Sequence, residues 1–560
     1  MKKQTMNLYD MKLKTLFSIL AILFVFLLMS GTAFAADPIQ ISTFEQLMAI
    51  DDSVESLSKD YILMNDIDVQ NSTLFKPIGS YSYTIITDEY TGNPFTGTFN
   101  GNGYTISNIT FSNNNSTTVV GLFGGTERAS ISNLSLENIS LTGQYDVGGL
   151  VGRANNTKIM NCSVINSDIC LISGRGRVGG LVGYLQNSNV SDSYAISNAE
   201  GKDSSSCFVG AINNSIVSNS YAVGNAKGEN FVGGFAGSMW DSSSIFNSYG
   251  ASNAEGKNSV GGFIGVMWDS SSILNSYATG NAIIKATGNE TSSTIDTPII
   301  TITNNETKSA IGSVADPAEV MPVVYFGGFA GSMHNNSSIS QSYAVGNAEG
   351  KESVGGFVGG MSESSKVSES YATGNATGSN NVGGFVGDMN NSSISNSYAI
   401  GNAEGKDYVG GFSGEISNAT VSYCYSIGNS KTTGDGNNIG GFAGYQKSST
   451  IISCFSPTEA GHDNGLSIVK PDVDLKKKET FEATYPILPS ANPTAFSKSW
   501  NISSSSDSYS TWYVDEDNDY PKLLWNSSSP LHVGLVEIFI LIIISLLIFC
   551  VIAYIVFFKK

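Results

Sequence analysis

The sequence predicts an all-β protein: a parallel β-helix whose coils are about 28 residues long, with an N-terminal cap and one C-terminal transmembrane α-helix. Three observations lead to this prediction. A glycine-rich phrase recurs at a nearly constant interval, each copy contains two short β-like runs, and one long apolar segment stands near the C-terminus.

The repeat is marked by a Gly-Gly pair before a large apolar residue. The pairs begin at Gly148, Gly179, Gly233, Gly261, Gly327, Gly355, Gly383, Gly410 and Gly440, with degenerate copies at Gly121 and Gly210. Most intervals are 27 to 31 residues. The 23-residue interval after Gly210 predicts a shortened unit. The 66-residue interval after Gly261 predicts one unit that carries an inserted loop, residues 283–324.

The units favour strands over helices. They have no apolar stripe of helical period, and they are rich in Gly and Asn, which disfavour helix interiors. In a parallel β-helix each short strand pairs with its copy one coil away, so every repeat position becomes a ladder with a spacing of about 4.8 Å. The glycines are predicted to permit corners of positive φ and close backbone approach.

Three apolar rows are predicted to fill the core rather than to bind a cofactor. They are Phe235, Phe263, Phe329, Phe357, Phe385, Phe412 and Phe442, preceded by Leu150 and Leu181; Met239, Met267, Met333, Met361 and Met389; and Ile245, Ile273, Ile339, Val367, Ile394, Val421 and Ile451. An asparagine row is predicted at one corner, where left-handed geometry and stacked amides suit this residue. It comprises Asn225, Asn281, Asn347, Asn375, Asn402 and Asn429.

A tyrosine row shares one register. Its members are Tyr194, Tyr221, Tyr249, Tyr277, Tyr343, Tyr371, Tyr398 and Tyr425. The positions at −1, +1 and +5 from each tyrosine are small, and strand parity points those three side chains one way and the tyrosine the other. This favours small residues inside and tyrosines outside, while the opposite parity would bury the tyrosines.

The two ends of the chain predict its topology. Residues 11–35 have a basic start, an apolar core and an Ala33-Phe34-Ala35 end, which is typical of a secretory signal peptide. Over twenty apolar residues precede Lys559 and Lys560, which places the C-terminus in the cytoplasm. The predicted order is a signal peptide 1–35, an N-terminal cap and first coils 36–120, a repeat β-helix 121–457, a closing segment 458–525, a linker 526–534, a transmembrane helix 535–558 and a cytoplasmic tail 559–560.

The acidic composition of the chain argues against one class of partner, nucleic acid. The formal net charge is −19 and the chain has four arginines, so its surface repels nucleic acid and we expect no nucleic-acid partner. The membrane is expected as a partner through the C-terminal helix alone. Unidentified cell-surface glycans or proteins are the other expected partners.

No residue pattern indicates a catalytic, cofactor or metal site. The three histidines, His334, His462 and His532, lie far apart in sequence and have no partners at metal-ligand spacing. Two acidic stretches, 472–475 and 515–519, offer oxygen ligands for calcium, but the second reads more simply as a solvated turn. We therefore expect no cofactor.

One local surface is a candidate for ligand or partner binding. Trp240 and Trp268 occupy the same register in adjacent coils, beside Asp241 and Asp269. If they point outward they form an aromatic platform with acceptors beside it, and if not they are partly buried against a neighbouring loop. Tyr249 and Tyr277 are included in this candidate surface.

The same aspartates raise an enzymatic alternative. Stacked one coil apart, Asp241 and Asp269 could stand at the carboxylate separation of a retaining glycosidase, about 5 Å. The simpler reading is two exposed turn aspartates duplicated with their repeat. A polysaccharide lyase would also need a basic group, and the nearest arginine in sequence is Arg177.

Cys424 and Cys454 both stand one residue before the tyrosine register, 30 residues apart. In-register parallel strands bring equivalent α-carbons within disulfide range. Their Cβ vectors run parallel there, which is unfavourable for a bond, and two buried free thiols would fill the same space. Both readings stay open.

The repeated phrases Gly-Gly-Leu/Phe-Val-Gly and Ile-x-Asn-Ser-Tyr-Ala-x-Gly-Asn resemble the GLUG repeat of bacterial and archaeal surface proteins. The segment "ISTFEQLMAI…FTGTFNGNGYTISNITF…VVGLFGG" (41–125) is similar to that family's opening segment, and "WYVDEDNDYPKLLW" (512–525) to its closing one. The resemblance implies a right-handed β-helix on the cell surface, often adhesin-like, and no defined catalytic residue. Ser42-Thr43-Phe44-Glu45 has capping-box form, so a short helix is expected over the first coil.

The function expected from the sequence is a membrane-anchored, non-catalytic surface protein whose β-helix ectodomain serves adhesion or cell-envelope structure. The alternative is a carbohydrate-active β-helix enzyme, either a polysaccharide lyase or a hydrolase. A cluster of acidic and basic side chains on one lateral face would favour the enzyme. Rows of Ser, Asn and Tyr favour the binding or structural role.

The topology is testable on intact cells that carry the chain with a tag after Lys560. Added protease is expected to release a large ectodomain fragment and to leave the tag protected, because the tail lies inside. Immunoblotting of the tag before and after cell permeabilisation measures this. Digestion of the tag in unpermeabilised cells would contradict the predicted orientation.

Overall fold

The computed structural model describes residues 37–70, 72–84, 89–112, 119–171, 176–284, 324–456, 461–462, 502–503, 511–513 and 522–523. They form an all-β parallel solenoid of about 11 turns, with coils of about 28 residues. A full coil passes in turn through four parallel sheets, which we name sheets 1 to 4 in chain order. The predicted solenoid of about 28-residue coils is confirmed.

Each sheet is a stack of short strands. Sheet 1 comprises Ile39–Ile41, Asp60–Leu63, Thr98–Asn100, Ser130–Ser132, Lys158–Met160, Asn189–Ser191, Ile216–Ser218, Ser244–Phe246, Ser272–Leu274, Ser338–Ser340, Lys366–Ser368, Ser393–Ser395, Thr420–Ser422 and Thr450–Ile452. Sheet 2 comprises Ile67–Asp68, Thr105–Ser107, Thr110–Ser112, Ser135–Glu137, Ser140–Gly143, Ser163–Leu171, Tyr194–Glu200, Tyr221–Lys227, Tyr249–Gly256, Tyr277–Ala278, Ala282–Ile284, Tyr343–Ala344, Ala348–Glu349, Tyr371–Ala372, Ala376–Thr377, Tyr398–Ala399, Ala403–Gly405, Tyr425–Ser426 and Ser430–Thr432.

Sheet 3 comprises Val147–Gly148, Val178–Gly179, Asp203–Ser206, Asn230–Gly233, Asn258–Gly261, Phe326–Gly327, Glu352–Gly355, Asn380–Gly383, Asp407–Gly410, Ile439–Gly440 and, antiparallel, Gly461–His462. Sheet 4 comprises Phe123–Glu127, Val151–Asn155, Val182–Gln186, Val209–Asn213, Ala236–Trp240, Ile264–Met267, Ala330–Met333, Val358–Met361, Val386–Asn390, Ser413–Ser417 and Ala443–Lys447. Two small additional sheets are formed by Ser82–Thr84 with Glu89–Thr91, and by Ile502–Ser503, Trp512–Tyr513 and Lys522–Leu523.

A short α-helix, Phe44–Met48, follows the first rung of sheet 1, and the 3₁₀ turns Ala49–Asp51 and Ser56–Ser58 come before the second. The predicted capping box is present but lies one residue later than expected. Thr43 is the N-cap, and the backbone N–H of Gln46 donates to its Oγ1 at 3.3 Å while Gln46 Oε1 accepts from the Thr43 N–H at 3.2 Å. Gln46 therefore does what the sequence assigned to Glu45. The helix buries Leu47 in the core.

The predicted apolar rows lie inside the coil. Neighbouring phenylalanine rings of the row from Phe208 to Phe442 stack with centroids 4.7–4.9 Å apart, and the rings are fully buried. The five methionines pair in register and are buried. The Ile/Val row is buried from Ile245 to Val421, and only its last member, Ile451, is partly exposed.

Register corrects one part of the predicted repeat. Sheet 3 pairs Ser206 with Gly233, and sheet 4 pairs Val209 with Ala236, so this coil has the full length of 27 residues. The predicted shortened unit was therefore wrong, because Gly210 was aligned with the wrong glycine. The 66-residue interval does span one coil, since Gly261 pairs with Gly327. The predicted inserted loop leaves the coil after Ile284, and residues 285–323 lie outside the described residues.

The Gly-Gly pairs allow close approach of backbones rather than positive φ. A Cβ at Gly233 would lie 1.8 Å from the carbonyl oxygen of Ala236, and one at Gly234 would lie 2.2 Å from that of Gly262. Neither glycine has a positive φ. The corner asparagines were predicted to be left-handed, and this was wrong for Asn225 and its copies. Their amide ladder is present from Asn198 to Asn281, with Asn225 Nδ2 donating to Asn198 Oδ1 at 3.2 Å. From Asn347 to Asn429 each backbone N–H donates to the side-chain Oδ1 of the asparagine one coil before.

The predicted parity of the tyrosine row is confirmed. Ala195 and its copies are buried inside, and the tyrosine rings stack outside with centroids 4.7–5.0 Å apart and planes within 5°. The row is partly exposed from Tyr194 to Tyr343. Its last three members are buried, because Trp512 packs with its ring centroid 6.0 Å from those of Tyr398 and Tyr425. Trp512, which belongs to the predicted closing segment, thus covers one end of the row.

The position before each tyrosine forms a buried serine row. Each backbone N–H donates to the serine Oγ of the next coil, as from Ser220 to Ser248 at 3.3 Å, and each hydroxyl donates to its own i−2 carbonyl. Cys424 and Cys454 continue this row in neighbouring coils, since Tyr425 bridges to Phe455. Both are buried free thiols rather than a disulfide. Each Sγ–H points to its own i−2 carbonyl as the serine hydroxyls do, at 3.2 Å and 3.3 Å.

In the described part of the chain, no helix has the length and apolar character needed to cross a bilayer. The predicted signal peptide 1–35, linker 526–534, transmembrane helix 535–558 and tail 559–560 lie outside the described residues. The same holds for the acidic stretches 472–475 and 515–519 and for His532.

Substitution of a central core ring tests the stacked phenylalanine row. Phe357→Asp buries an unpaired charge between coils and is expected to lower the free energy of unfolding by several kcal/mol. Phe357→Leu is the matched control, because Leu150 and Leu181 fill the same row in earlier coils, and its expected cost is about 1 kcal/mol. Thermal and urea unfolding followed by circular dichroism measure both. Unchanged unfolding of Phe357→Asp would contradict the burial of this ring.

Candidate functional site

The chain bends sharply between sheets 3 and 4, and two rows of side chains face each other across the outside of this bend. We call this surface the bend groove. The first row is made of the residue that comes immediately before the first inward-pointing residue of each sheet 3 strand, such as Val147 or Val178. Its members are Asp146, Arg177, Ser204, Phe231, Ser259, Tyr325, Ser353, Asn381, Tyr408 and Asn438. The other is the outward row of sheet 4, which contains Gly125, Arg153, Tyr184, Ala211, Ser238, Val266, Ser332, Gly360, Asp388, Glu415 and Tyr445.

An ion network closes the groove near its N-terminal end. The fully buried carboxylate of Asp146 lies 3.6 Å from Arg153 Nη1 and 3.3 Å from Arg177 Nη1. The two guanidinium groups flank the Tyr184 ring at 4.3 Å and 4.2 Å from its centroid. Arg177, the arginine nearest in sequence to Asp241 and Asp269, is therefore engaged with a buried acid and an aromatic ring.

The predicted tryptophan pair does not form an exposed platform. Trp240 is partly exposed and stacks on Tyr184, with ring centroids 5.8 Å apart. Trp268 is only 8% exposed, because Phe231 packs edge-on against it at 5.3 Å and the His334 ring lies parallel to it at 6.2 Å. Partial burial, the alternative reading of these tryptophans, describes them better.

Among the three histidines, His334 is the one whose side chain the structure describes. Its ring is 5% exposed, and Nδ1 lies 2.7 Å from Ser362 Oγ. Burial lowers the pKa of His334 to about 4, so the ring is neutral at physiological pH. It packs on aromatic rings, and no group of three His, Cys, Asp or Glu side chains within the described residues could hold a metal ion.

Asp241 and Asp269 occupy exposed turns of positive φ, as the simpler reading of the sequence expected. They line a hollow of about 770 Å³ whose other walls are mainly asparagines. Asn213 Nδ2 donates to the Asp241 carboxylate, and Asn335 Nδ2 donates to that of Asp269 at 3.1 Å. Tyr249 and Tyr277 belong to sheet 2, beyond the intervening sheet 1 strands, so the predicted surface is divided between two faces.

A larger cleft opens at the C-terminal end of the bend groove, with a volume of about 910 Å³. There the two rows carry asparagine and acidic side chains, whereas from Phe231 to Gly360 they carry aromatic, aliphatic, serine or glycine residues. The cleft is lined by Glu352, Asn380, Asn381, Asp388, Asn390, Asp407, Tyr408, Glu415, Ser417, Asn418, Asn437, Asn438, Tyr445 and Lys447. The rings of Tyr408 and Tyr445 meet edge to face with centroids 5.6 Å apart and form one wall.

Asp388 and Glu415 stand in register in adjacent strands of sheet 4, in the cleft. Burial, followed by the nearby Glu415 charge, raises the pKa of Asp388 to about 7, against a smaller opposing effect of the Met389 backbone N–H. Glu415 accepts hydrogen bonds from Ser417 Oγ at 2.8 Å and Asn381 Nδ2 at 3.4 Å. Asp388 is thus held toward its protonated form, beside a carboxyl group that accepts two hydrogen bonds.

The sequence did not lead to this pair, although a signal was present. Asp388 and Glu415 each follow a core phenylalanine by three residues. In the other coils from Phe235 to Phe442 this position holds Ser, Val, Ser, Gly and Tyr. Aligning the units on their phenylalanines, as the structure does, brings the two acids into one column.

Known proteins resemble the chain at the level of its repeat. A family model described as "The GLUG motif" matches residues 143–169 and 174–199. Within these two stretches the chain is similar to the GLUG repeat. A stretch of 129 residues, 23% of this chain, is 35% identical to Halomucin of Haloquadratum walsbyi, but it spans only 1% of that protein.

Two solved structures show similarity of low degree. A crystal structure titled as a putative immunoglobulin A1 protease from Bacteroides ovatus aligns over 87% of this chain and 92% of its own, with 15% identity and a TM-score of 0.19. A structure titled "IgA1 Protease" aligns over 77% of this chain and 22% of its own, with 13% identity and a TM-score of 0.21. These scores carry no inference about function.

The raised pKa of Asp388 predicts a pH-dependent cost to stability. Below about pH 4 both folded and unfolded chains hold the proton, and between about pH 4 and 7 only the folded chain keeps it, so stability falls as pH rises through this range. Asp388→Asn is therefore expected to have a higher Tm than the wild type at pH 8 and nearly the same Tm at pH 4. Calorimetry at both values measures this. In a Glu415→Gln background, which removes the neighbouring charge, the gain in Tm from Asp388→Asn at pH 8 should be smaller. An equal effect of Asp388→Asn on Tm at pH 4 and pH 8 would contradict the raised pKa of Asp388.

Proposed function

We propose that the chain is a single-pass cell-surface protein whose right-handed β-helix ectodomain serves adhesion or cell-envelope structure without catalysis. In this proposal residues 1–35 direct export, residues 535–558 anchor the chain and residues 559–560 lie in the cytoplasm. The GLUG repeat and the solenoid fold fit a surface protein, and the similarity to Halomucin supports the same setting.

The observation that carries the proposal is the outer surface of sheet 2. Tyr194, Tyr221, Tyr249 and Tyr277 form a continuous, partly exposed stack on it. An exposed amide row that includes Asn198 and Asn225 runs beside the tyrosines, four residues further along each strand. A long surface that repeats phenol and amide groups at each coil suits multivalent contact with a partner surface, where weak contacts add up to avidity.

Adhesion is tested by displaying the full chain on a host strain that lacks it. We expect cells with the chain to aggregate or to bind surfaces more than cells without it. The triple variant Tyr221→Ala, Tyr249→Ala and Tyr277→Ala should reduce this binding severalfold, because it removes the centre of the tyrosine row. Flow cytometry of displayed chain and counts of attached cells measure the effect.

The matched control replaces Ser244, Ser272 and Ser338 with Ala. Ser244 and Ser272 lie in the coils of Tyr249 and Tyr277, and Ser338 lies in the next coil. All three are on the outer face of sheet 1 and are similarly half-buried. The control is expected to bind as the wild type does. Equal adhesion of cells with and without the chain, at confirmed display, would refute the adhesive role.

A second candidate function is glycoside hydrolysis, which the Asp388–Glu415 pair favours. Parallel pairing sets the backbones of equivalent residues about 4.8 Å apart, which would allow the two carboxyl groups to take the separation of about 5 Å that retaining glycosidases use. Asp388 would give its proton to the glycosidic oxygen while the Glu415 carboxylate attacks the anomeric carbon. Water would then hydrolyse the resulting glycosyl ester and return a proton to Asp388.

A further inference from the structure

The C-terminal cleft differs from the middle of the bend groove because short polar side chains occupy part of its two rows. In earlier coils large rings close the groove: Phe231 packs with Val266 and Trp268, and the Tyr325 ring lies over Gly360, where a Cβ would come within 2.1 Å of that ring. From Asn381 onward one row holds Asn381, Tyr408 and Asn438, and the other holds Asp388, Glu415 and Tyr445. The two tyrosine rings pack against each other at one wall, and the shorter polar side chains leave a volume of about 910 Å³. That volume is typical of small-molecule sites.

The lining of the cleft is arranged by hydrogen bonds among its own residues. Glu352 Oε1 accepts from Asn380 Nδ2 at 3.3 Å, and Asp407 Oδ1 accepts from the Asn437 backbone N–H at 2.8 Å. Glu415 accepts from Ser417 and Asn381. The carboxylates therefore orient amides and hydroxyls instead of converging on a common point, which argues against a cation as the ligand. Each side-chain amide has donor and acceptor capacity left over.

Charge and shape define the ligand class. The cleft has four carboxyl groups and a single lysine, so an anionic ligand would be repelled. Six asparagines offer paired donors and acceptors, which match hydroxyl groups. Tyr408 and Tyr445 add an aromatic wall that can pack against an apolar C–H face. A neutral, polyhydroxylated ligand satisfies all three conditions.

We propose that this cleft binds a neutral oligosaccharide, with the Tyr445 ring packing against one sugar and the amides of Asn381 and Asn438 bonding its hydroxyl groups. The inference rests on the proposed function only in naming the ligand's source, a glycan of a cell surface. It does not depend on the tyrosine row of sheet 2.

The experiment uses the full chain purified in detergent and isothermal titration calorimetry. The probes are the hexasaccharides of cellulose, xylan, amylose and chitin, with oligogalacturonate as the anionic contrast. At least one neutral probe is expected to bind and oligogalacturonate is not. Tyr445→Ala should weaken the binding at least tenfold, and Tyr445→Phe, which keeps the ring, should stay within about threefold of the wild type.

Tyr194→Ala is the matched control, because Tyr194 is also a partly exposed tyrosine but lies on sheet 2, and it should bind as the wild type does. Circular dichroism melting confirms that each variant is folded. If the wild type cleaves the bound probe and Glu415→Gln does not, the result would support the cleft as the sugar site and favour the second candidate function.

Two results would overturn the inference: failure of every neutral probe to bind, or equal affinities of Tyr445→Ala and wild type. If cells that display the chain still adhere in either case, the sugar site is refuted but the proposed adhesive role is not. Failure of the inference and failure of the proposed function are therefore distinguishable.

Discussion

The in-register pairing of each coil with the next governs the whole molecule. Parallel strands set equivalent residues about 4.8 Å apart, so whatever side chain a position carries must tolerate contact with its own copy. Phenylalanine and tyrosine meet this condition by stacking, serine by passing a hydrogen bond from coil to coil, and asparagine through its amide. An unpaired charge or a mismatched volume at an inner position has no such solution, because the neighbouring coils leave no room for it to turn away.

The same constraint explains where the chain departs from its own repeat. Charges are tolerated in the bend groove, which lies outside the coil, and even there Asp146 is neutralised by two arginines. Asp388 has no such partner among the residues that affect its pKa, and its proton is held by burial and by Glu415. A buried acid beside a second acid departs from the rest of the repeat, and such departures from the local pattern are expected at functional sites.

Sequence reasoning could predict what repeats and had difficulty with what does not. The coil length, the three inner rows and the outward tyrosines follow from period and parity, since Ala195 and Tyr194 must point in opposite directions. The unit around Phe208 was misaligned because Ser206 and Cys207 replace the Gly-Gly pair, which removes the marker on which the alignment relied. The burial of Trp268 and the cleft at Asp388 depend on contacts across the bend, where residues far apart in sequence meet. No single unit contains that information.

The junction after Ile284 has a further meaning. The strands before it and the strands from Phe326 onward pair as directly as any other neighbouring coils, with Ile273 opposite Ile339 and Gly261 opposite Gly327. Pairing is therefore indifferent to how many residues pass between these two points. This junction is therefore a site where insertions should be tolerated. An epitope, an affinity tag or a small folded domain could replace the segment there, in evolution or by engineering, while the coils on both sides keep their pairing.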